Sequence, residues 1–258
     1  MEEIKILSMD MGTKNFAFWV DAYPQNVLEQ KNTLEYLPDG RPTEKTARAI
    51  EAMASAGRAV LFANTDVSCG DDTKTVVSGD TLCTITELLD YHKDIFSQCD
   101  YIVVETQMQF GKLRNPKAIR VAHHVQSYFY IMFGRLARVI DFPAYNKTQV
   151  LGAPKVPSVT KKGFTRYKAV DKPTRKKWAC TVAEDILLAR RDWDSIDKLE
   201  DMKKKDDVSD CLLQSIAFLL LQSSSSSSEY SHSRRSSSRG STSRRLLTGG
   251  VKAGKASE

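Results

Sequence analysis

The sequence predicts an α/β protein built on a mixed sheet, and three features lead there. Apolar segments at residues 4–10 and 16–20 flank the turn residues Gly12-Thr13-Lys14-Asn15, giving a β-turn-β opening. A helix-spaced apolar series over 81–96 runs into a continuous apolar strand over 101–105, and strand and helix patterns alternate afterwards. A tight hairpin pairs antiparallel, whereas a buried strand reached through a helix pairs parallel, so both directions belong in one sheet.

In chain order, residues 21–58 hold a loop around Pro38-Asp39-Gly40 and a helix over 43–56. A strand at 59–64 follows, and then the helix and strand just described. Residues 116–136 read as a helix whose apolar side is Ile119, Ala122, His123, Val125, Tyr128, Phe129, Met132 and Phe133. A strand at 138–142 is next. Residues 155–177 carry nine Lys or Arg against one acid, Asp171, with Phe164, Tyr167 and Trp178 nearby, and form the basic face of the body. A helix from 175 to about 192, a charged linker to 205 and a last helix over 206–222 complete a domain of residues 1–222. In that last helix Val208, Cys211, Leu212, Ile216, Leu219 and Leu220 make the buried stripe.

Residues 223–258 differ in composition. Six consecutive serines lead into an Arg/Ser-rich run, with too little apolar surface to offset chain entropy, so a disordered tail is expected. The tail carries +5 of the formal net charge of +6, which leaves the body almost neutral. Its charge suits phosphate contacts with nucleic acid, and equally a solvated tail without a specific role. With 258 residues, 41% hydrophobic and 27% charged, the chain can bury a core, which excludes a wholly disordered protein. Five cysteines without a C-x-x-C pair indicate neither a zinc ribbon nor a closed disulfide framework. The start lacks a signal or transit pattern, and apolar stretches such as 216–221 fall far short of the ~20 residues that span a bilayer, so an intracellular protein without a membrane partner is expected.

Four acids stand out. Asp10 ends the first strand, before a Gly turn, and Glu105 ends the buried strand. If those strands are neighbours, both side chains emerge at the sheet edge where α/β proteins place ligands. Asp207 and Asp210, three apart on the last helix, share a face. Four carboxylates brought together raise one another's pKa unless cations join them. Hard Mg²⁺ or Mn²⁺ suits oxygen ligands, and two such ions stabilise both the attacking and the leaving oxygen of a phosphoryl displacement. Taken singly, each acid has a plainer reading: a turn former, a partner for a nearby cation, or first-turn acids favoured by the helix dipole. His123 and His124 lack a metal-ligand pattern and read as structural.

Taken in order, Ser8-Met9-Asp10-Met11-Gly12-Thr13-Lys14-Asn15, Val103-Val104-Glu105-Thr106-Gln107 and Lys204-Lys205-Asp206-Asp207-Val208-Ser209-Asp210-Cys211 resemble RuvC-type Holliday junction resolvases of the ribonuclease H-like superfamily. The likeness covers about residues 1–222 and is nearest to the branch of large DNA viruses, including poxviruses, and fungal mitochondria. It implies a central five-stranded sheet flanked by helices, a homodimer, branched DNA as the partner, and Mg²⁺-dependent symmetrical nicking of four-way junctions at sites of DNA replication in a host cell. By motif, Asp10, Glu105, Asp207 and Asp210 would hold two metal ions, with Asp206 able to substitute for Asp207, and Lys147 matches a lysine placed near the substrate. Lys161, Lys162, Arg166, Lys168, Arg175, Lys176 and Lys177 would carry the DNA arms, while Lys112 and Arg114, within 110–114, would approach the junction centre. Residues 21–58 are longer than the family fold requires, and the Ser/Arg tail has no counterpart in it.

Two rivals remain. Asp10-Met11-Gly12-Thr13 also resembles the first phosphate loop of sugar kinases and actin-like ATPases, although no second Gly-rich loop is present in the body. A non-catalytic DNA-binding or assembly protein of the same fold would keep junction binding without cleavage.

Overall fold

The computed structural model describes residues 2–224 other than 30, 31, 71, 74, 108–114, 137, 161 and 162. Strands β1 (Glu3–Met11) and β2 (Phe16–Pro24) form the expected opening hairpin, and β2 runs on past Val20. A Cβ on Gly12 would lie 2.7 Å from the Asn15 carbonyl oxygen, so this connection requires glycine. After α1 (Glu44–Ala56), β3 (Arg58–Thr65) pairs antiparallel with β2. Then come α2 (Gly79–Tyr91), the single turn α3 (Lys93–Phe96) and β4 (Tyr101–Thr106), which pairs parallel with β1. Helix α4 (Pro116–Phe133) leads to β5 (Val139–Pro143), parallel to β4. The sheet order β3-β2-β1-β4-β5 is mixed and flanked by helices, the five-stranded α/β arrangement that was expected.

The remaining elements are α5 (Ala144–Val150), a separate hairpin of β6 (Lys155–Val159) and β7 (Thr165–Ala169), α6 (Lys172–Arg190), α7 (Trp193–Glu200) and α8 (Lys205–Ser224). Several boundaries depart from the sequence reading, and α8 runs past the expected 222 to Ser224, with Ser223 buried, so the expected tail does not begin at 223. Helix α6 starts earlier because Asp171 caps it, accepting from the Thr174 amide at 3.3 Å, and Pro173 suits a first turn. The single helix expected over 81–96 is broken at His92 into α2 and α3. The charged linker contains α7, whose Ile196 and Leu199 pack on the core one turn apart.

Alternation along the strands sorts the core into two layers. Leu7, Met9, Phe18, Ile102 and Val104 face α2 and α4. Ile4, Ile6, Trp19, Tyr23, Val103 and Phe142 face α1, α5, α6 and α8. Helix α8 is covered on all sides rather than along one stripe: every residue from Cys211 to Leu220 is buried. Gln214 is satisfied there by donating to the Val103 carbonyl at 3.0 Å. No helix among the described residues is long and apolar enough to cross a membrane.

On the same layer Asp21 is fully buried and accepts both Arg190 Nη atoms, at 3.0 and 2.9 Å, and the Trp19 indole at 2.8 Å. Arg190 also donates to the Ala54 carbonyl at 2.7 Å, so one side chain ties α6 to β2 and α1. A Cβ on Gly57 would come within 2.3 Å of Arg190 Nη2, which reserves that position for glycine. Removing one partner strands a buried charge, so Arg190→Met is expected to cost roughly 3–5 kcal/mol in urea unfolding, and Asp21→Leu combined with Arg190→Met to recover part of it. A loss in the single variant no larger than a surface substitution gives, ~0.5 kcal/mol, would contradict this role.

Candidate active site

The parallel register of β1 and β4 sets the site. Met9 lies opposite Val104, so Asp10 and Glu105 are the next residues of neighbouring strands, on the face that carries Ile6 and Val103. That face is covered by α8, whose first turns bring Asp206, Asp207 and Asp210 to the same edge. Helix α5, directly after β5, supplies Lys147. Its Nζ donates to Glu105 Oε2 at 2.6 Å and pairs with Asp210 Oδ2 at 3.0 Å. The Lys147 side chain is 7% exposed, against 16% for Glu105 and 25% for Asp210.

The electrostatics follow from this crowding. Burial, Glu105, Asp210 and Asp207 push Asp10 up to about 8, although Lys147 opposes them. Burial and Asp206 raise Asp207 as well, against the pull of Lys176. Against the cost of burial, Lys176 holds Asp206 below its ordinary value. Lys176 Nζ is paired with Asp206 and lies 3.4 Å from Asp207 Oδ1. Five carboxylates therefore face two ammonium groups, Lys147 and Lys176, and an excess of negative charge remains.

Every anionic donor is a carboxylate oxygen, so the donor set and the charge excess fit hard divalent cations. As the side chains stand, no three of His, Cys, Asp or Glu among the described residues are grouped closely enough to hold a metal ion. Lys147 lies between two of the acids instead, so the plainer reading of Glu105 as a partner for a cation also has a counterpart here.

The expected DNA-binding residues are distributed unevenly. Arg166 and Lys168 are exposed on β7, in a hairpin whose Val159, Phe164 and Tyr167 are also exposed. This hairpin was not anticipated, since its cations masked the strand pattern. Arg175 is partly buried and Lys177 exposed in the first turns of α6, a helix end anchored beside the acids by Lys176. Lys176, expected among the DNA-binding cations, is thus engaged by Asp206 and Asp207. Lys112, Arg114, Lys161 and Lys162 lie outside the described residues. His124 Nε2 lies 2.9 Å from Thr86 Oγ1, a structural contact.

Because Asp10 is pushed up, the folded chain keeps a proton that the unfolded chain has released between the ordinary 3.8 and about 8. Stability is therefore fullest below that window and is lost as pH rises through it. In EDTA, Asp10→Asn is expected to stabilise the protein by roughly 1–3 kcal/mol at pH 9 and not at pH 3.5, measured by thermal unfolding. A variant that is less stable at pH 9 would contradict the charge balance described.

No protein-family model matches the chain. Among solved structures, the fowlpox virus resolvase in complex with substrate Holliday junction DNA is similar over 84% of this chain and 97% of that one, with TM-score 0.49 and 12% identity. Thermus thermophilus RuvC is similar over 84% and 94%, with TM-score 0.44 and 10% identity. The yeast mitochondrial Holliday junction resolvase is similar over 86% and 81%, with TM-score 0.44 and 12% identity. Uncharacterized protein 97L of Invertebrate iridescent virus 3 is 29% identical over 230 residues, which are 81% of this chain and 98% of that protein. Uncharacterized protein 170L of Invertebrate iridescent virus 6 is 30% identical over 244 residues, 85% of this chain and 91% of that protein. At that identity and coverage, the chain belongs to the family of protein 170L of Invertebrate iridescent virus 6.

Proposed function

We propose that the chain is a structure-selective endonuclease that resolves four-way DNA junctions by metal-dependent phosphodiester hydrolysis, acting as a homodimer that makes paired symmetrical nicks. The observation that supports this reading is the delivery of Asp10, Glu105 and Asp210 by three separate elements to one sheet edge around Lys147. These are the acids of the D-x-G, E-x-Q and D-D-x-x-D motifs that the sequence shares with junction resolvases. In this reading the catalytic domain is the expected 1–222 body with its last helix carried on to Ser224, and the rest of 223–258 is the tail.

In this reading Asp10, Glu105, Asp210 and Asp207, with Asp206 as its possible substitute, would hold two Mg²⁺ or Mn²⁺ ions. Such ions supply a nucleophilic water at neutral pH and neutralise the leaving 3′ oxygen. The protein's part is to fix their positions against the scissile phosphate. Asp10 does so from a strand whose backbone pairs with β2 opposite Ala17, and Asp210 from a helix buried along most of its length. Arg175 and Lys177, on the end of α6 that Lys176 anchors beside the acids, would bind phosphates of the arms, as would Arg166 and Lys168 on β7, and Lys112, Arg114, Lys161 and Lys162 join them by sequence. Lys176 would hold the basic end of α6 against the first turn of α8. The tail's arginines add a further phosphate-binding segment.

Incubating the full-length protein with a labelled four-way junction, a plain duplex and an RNA/DNA hybrid, in Mg²⁺ or EDTA, tests the reading. Paired nicks are expected in the junction alone and only with Mg²⁺. Asp10→Asn and Asp210→Asn are expected to slow cutting by at least about 100-fold while junction binding is kept. Normal cutting by either variant would overturn the ligand assignment. Junction binding by the wild type without any cutting would favour a non-catalytic protein of the same fold.

A further inference from the structure

We infer that the Lys147 ammonium is an exchangeable internal cation: it bridges Glu105 and Asp210 when no divalent ion is bound, and yields that place when one enters. The inference rests on the proposed metal-binding role of the same acids and concerns how the site is held together and loaded. Its basis is geometric. Nζ lies 2.6 Å from a carboxylate oxygen delivered by β4 and 3.0 Å from one delivered by α8. An ion shared by Glu105 and Asp210 would occupy the same space, and two positive charges at that separation repel strongly in a poorly hydrated site.

The surroundings suit an exchange. Lysine presents a compact charge on a flexible four-carbon stem, so Nζ can leave while α5 stays in place. The backbone anchor is firm: Val150 of α5 is packed in the core beside α8, and the Val150 carbonyl accepts the Tyr36 hydroxyl at 2.7 Å. Lys176 pairs with Asp206 and Asp207 in a similar way, but at 35% side-chain exposure it is far less enclosed than Lys147 at 7%.

An internal cation and a merely structural lysine give opposite results on removal. If Lys147 only braced the site, its loss would loosen the acids and weaken metal binding. If it competes with the metal, its loss leaves the acids less stable without metal and more avid for it. Lys147→Met should therefore melt at a lower temperature in EDTA, yet bind Mn²⁺ about tenfold more tightly, read by calorimetric titration or by electron paramagnetic resonance of free Mn²⁺.

The wild type offers a second readout that does not depend on the variant folding. Acylation of Lys147 by an amine-reactive reagent, followed by mass spectrometry, should be slow in EDTA and severalfold faster in saturating Mn²⁺, relative to the other lysines. Equal or weaker Mn²⁺ binding by a folded Lys147→Met, or Lys147 labelling unchanged by saturating Mn²⁺, would overturn the exchange. In that case saturable wild-type binding that is lost in Asp10→Asn would leave the metal site standing. Absence of saturable Mn²⁺ binding by the wild type would instead overturn the metal site and the exchange with it.

Discussion

Repulsion among carboxylates gathered at one partly dehydrated edge is the constraint on which the rest of the structure depends. Asp10 shows the effect: burial first, and then the neighbouring acids, raise its carboxyl to about 8 even with Lys147 present. A fold selected for stability alone would disperse these groups, because ionised carboxylates in shared, poorly hydrated space cost free energy. Here three well-packed elements hold them together: two adjacent parallel strands in register and a helix buried along most of its length. Rigid delivery of destabilising groups is what a site for a cation and a phosphate needs.

The rest of the fold offsets that cost. The layer of core that contains α8 also contains the buried Asp21–Arg190 pair, which joins β2, α1 and α6. Helix α6 thus has two electrostatic anchors: Arg190 at its C-terminal end, inside the core, and Lys176 at its N-terminal end, beside the acids. One helix connects the stability of the sheet to the placement of its basic end at the site. Charge placement, more than net charge, organises the molecule.

Much of the arrangement could be read from residue patterns because its causes are local. Apolar runs ending in Asp10 and Glu105 marked two strands and their edge, and acids three apart on an apolar helix marked a shared face. The details that escaped have non-local causes. Lys147 was placed near the substrate by resemblance only, and its contacts with Glu105 and Asp210 depend on how α5 packs after β5. Lys176 looked like one of many cations in a basic run, yet it is held by Asp206 and Asp207 from another helix. The Asp21–Arg190 pair carried a usable signal: an acid within the apolar strand run Phe18-Trp19-Val20-Asp21-Ala22-Tyr23 must find a buried partner. Which arginine answers it depends on tertiary packing. The β6–β7 hairpin was obscured because its cations break the apolar alternation that marks a strand.

The central claim is that acids from β1, β4 and α8 form one cation site. Anomalous scattering from Mn²⁺ in crystals of the full-length protein tests it most directly. The account requires a peak within roughly 2.0–2.3 Å of carboxylate oxygens from Asp10 and from Glu105 or Asp210. A crystal saturated with Mn²⁺ whose peaks all lie elsewhere, with Lys147 still bridging Glu105 and Asp210, would contradict it.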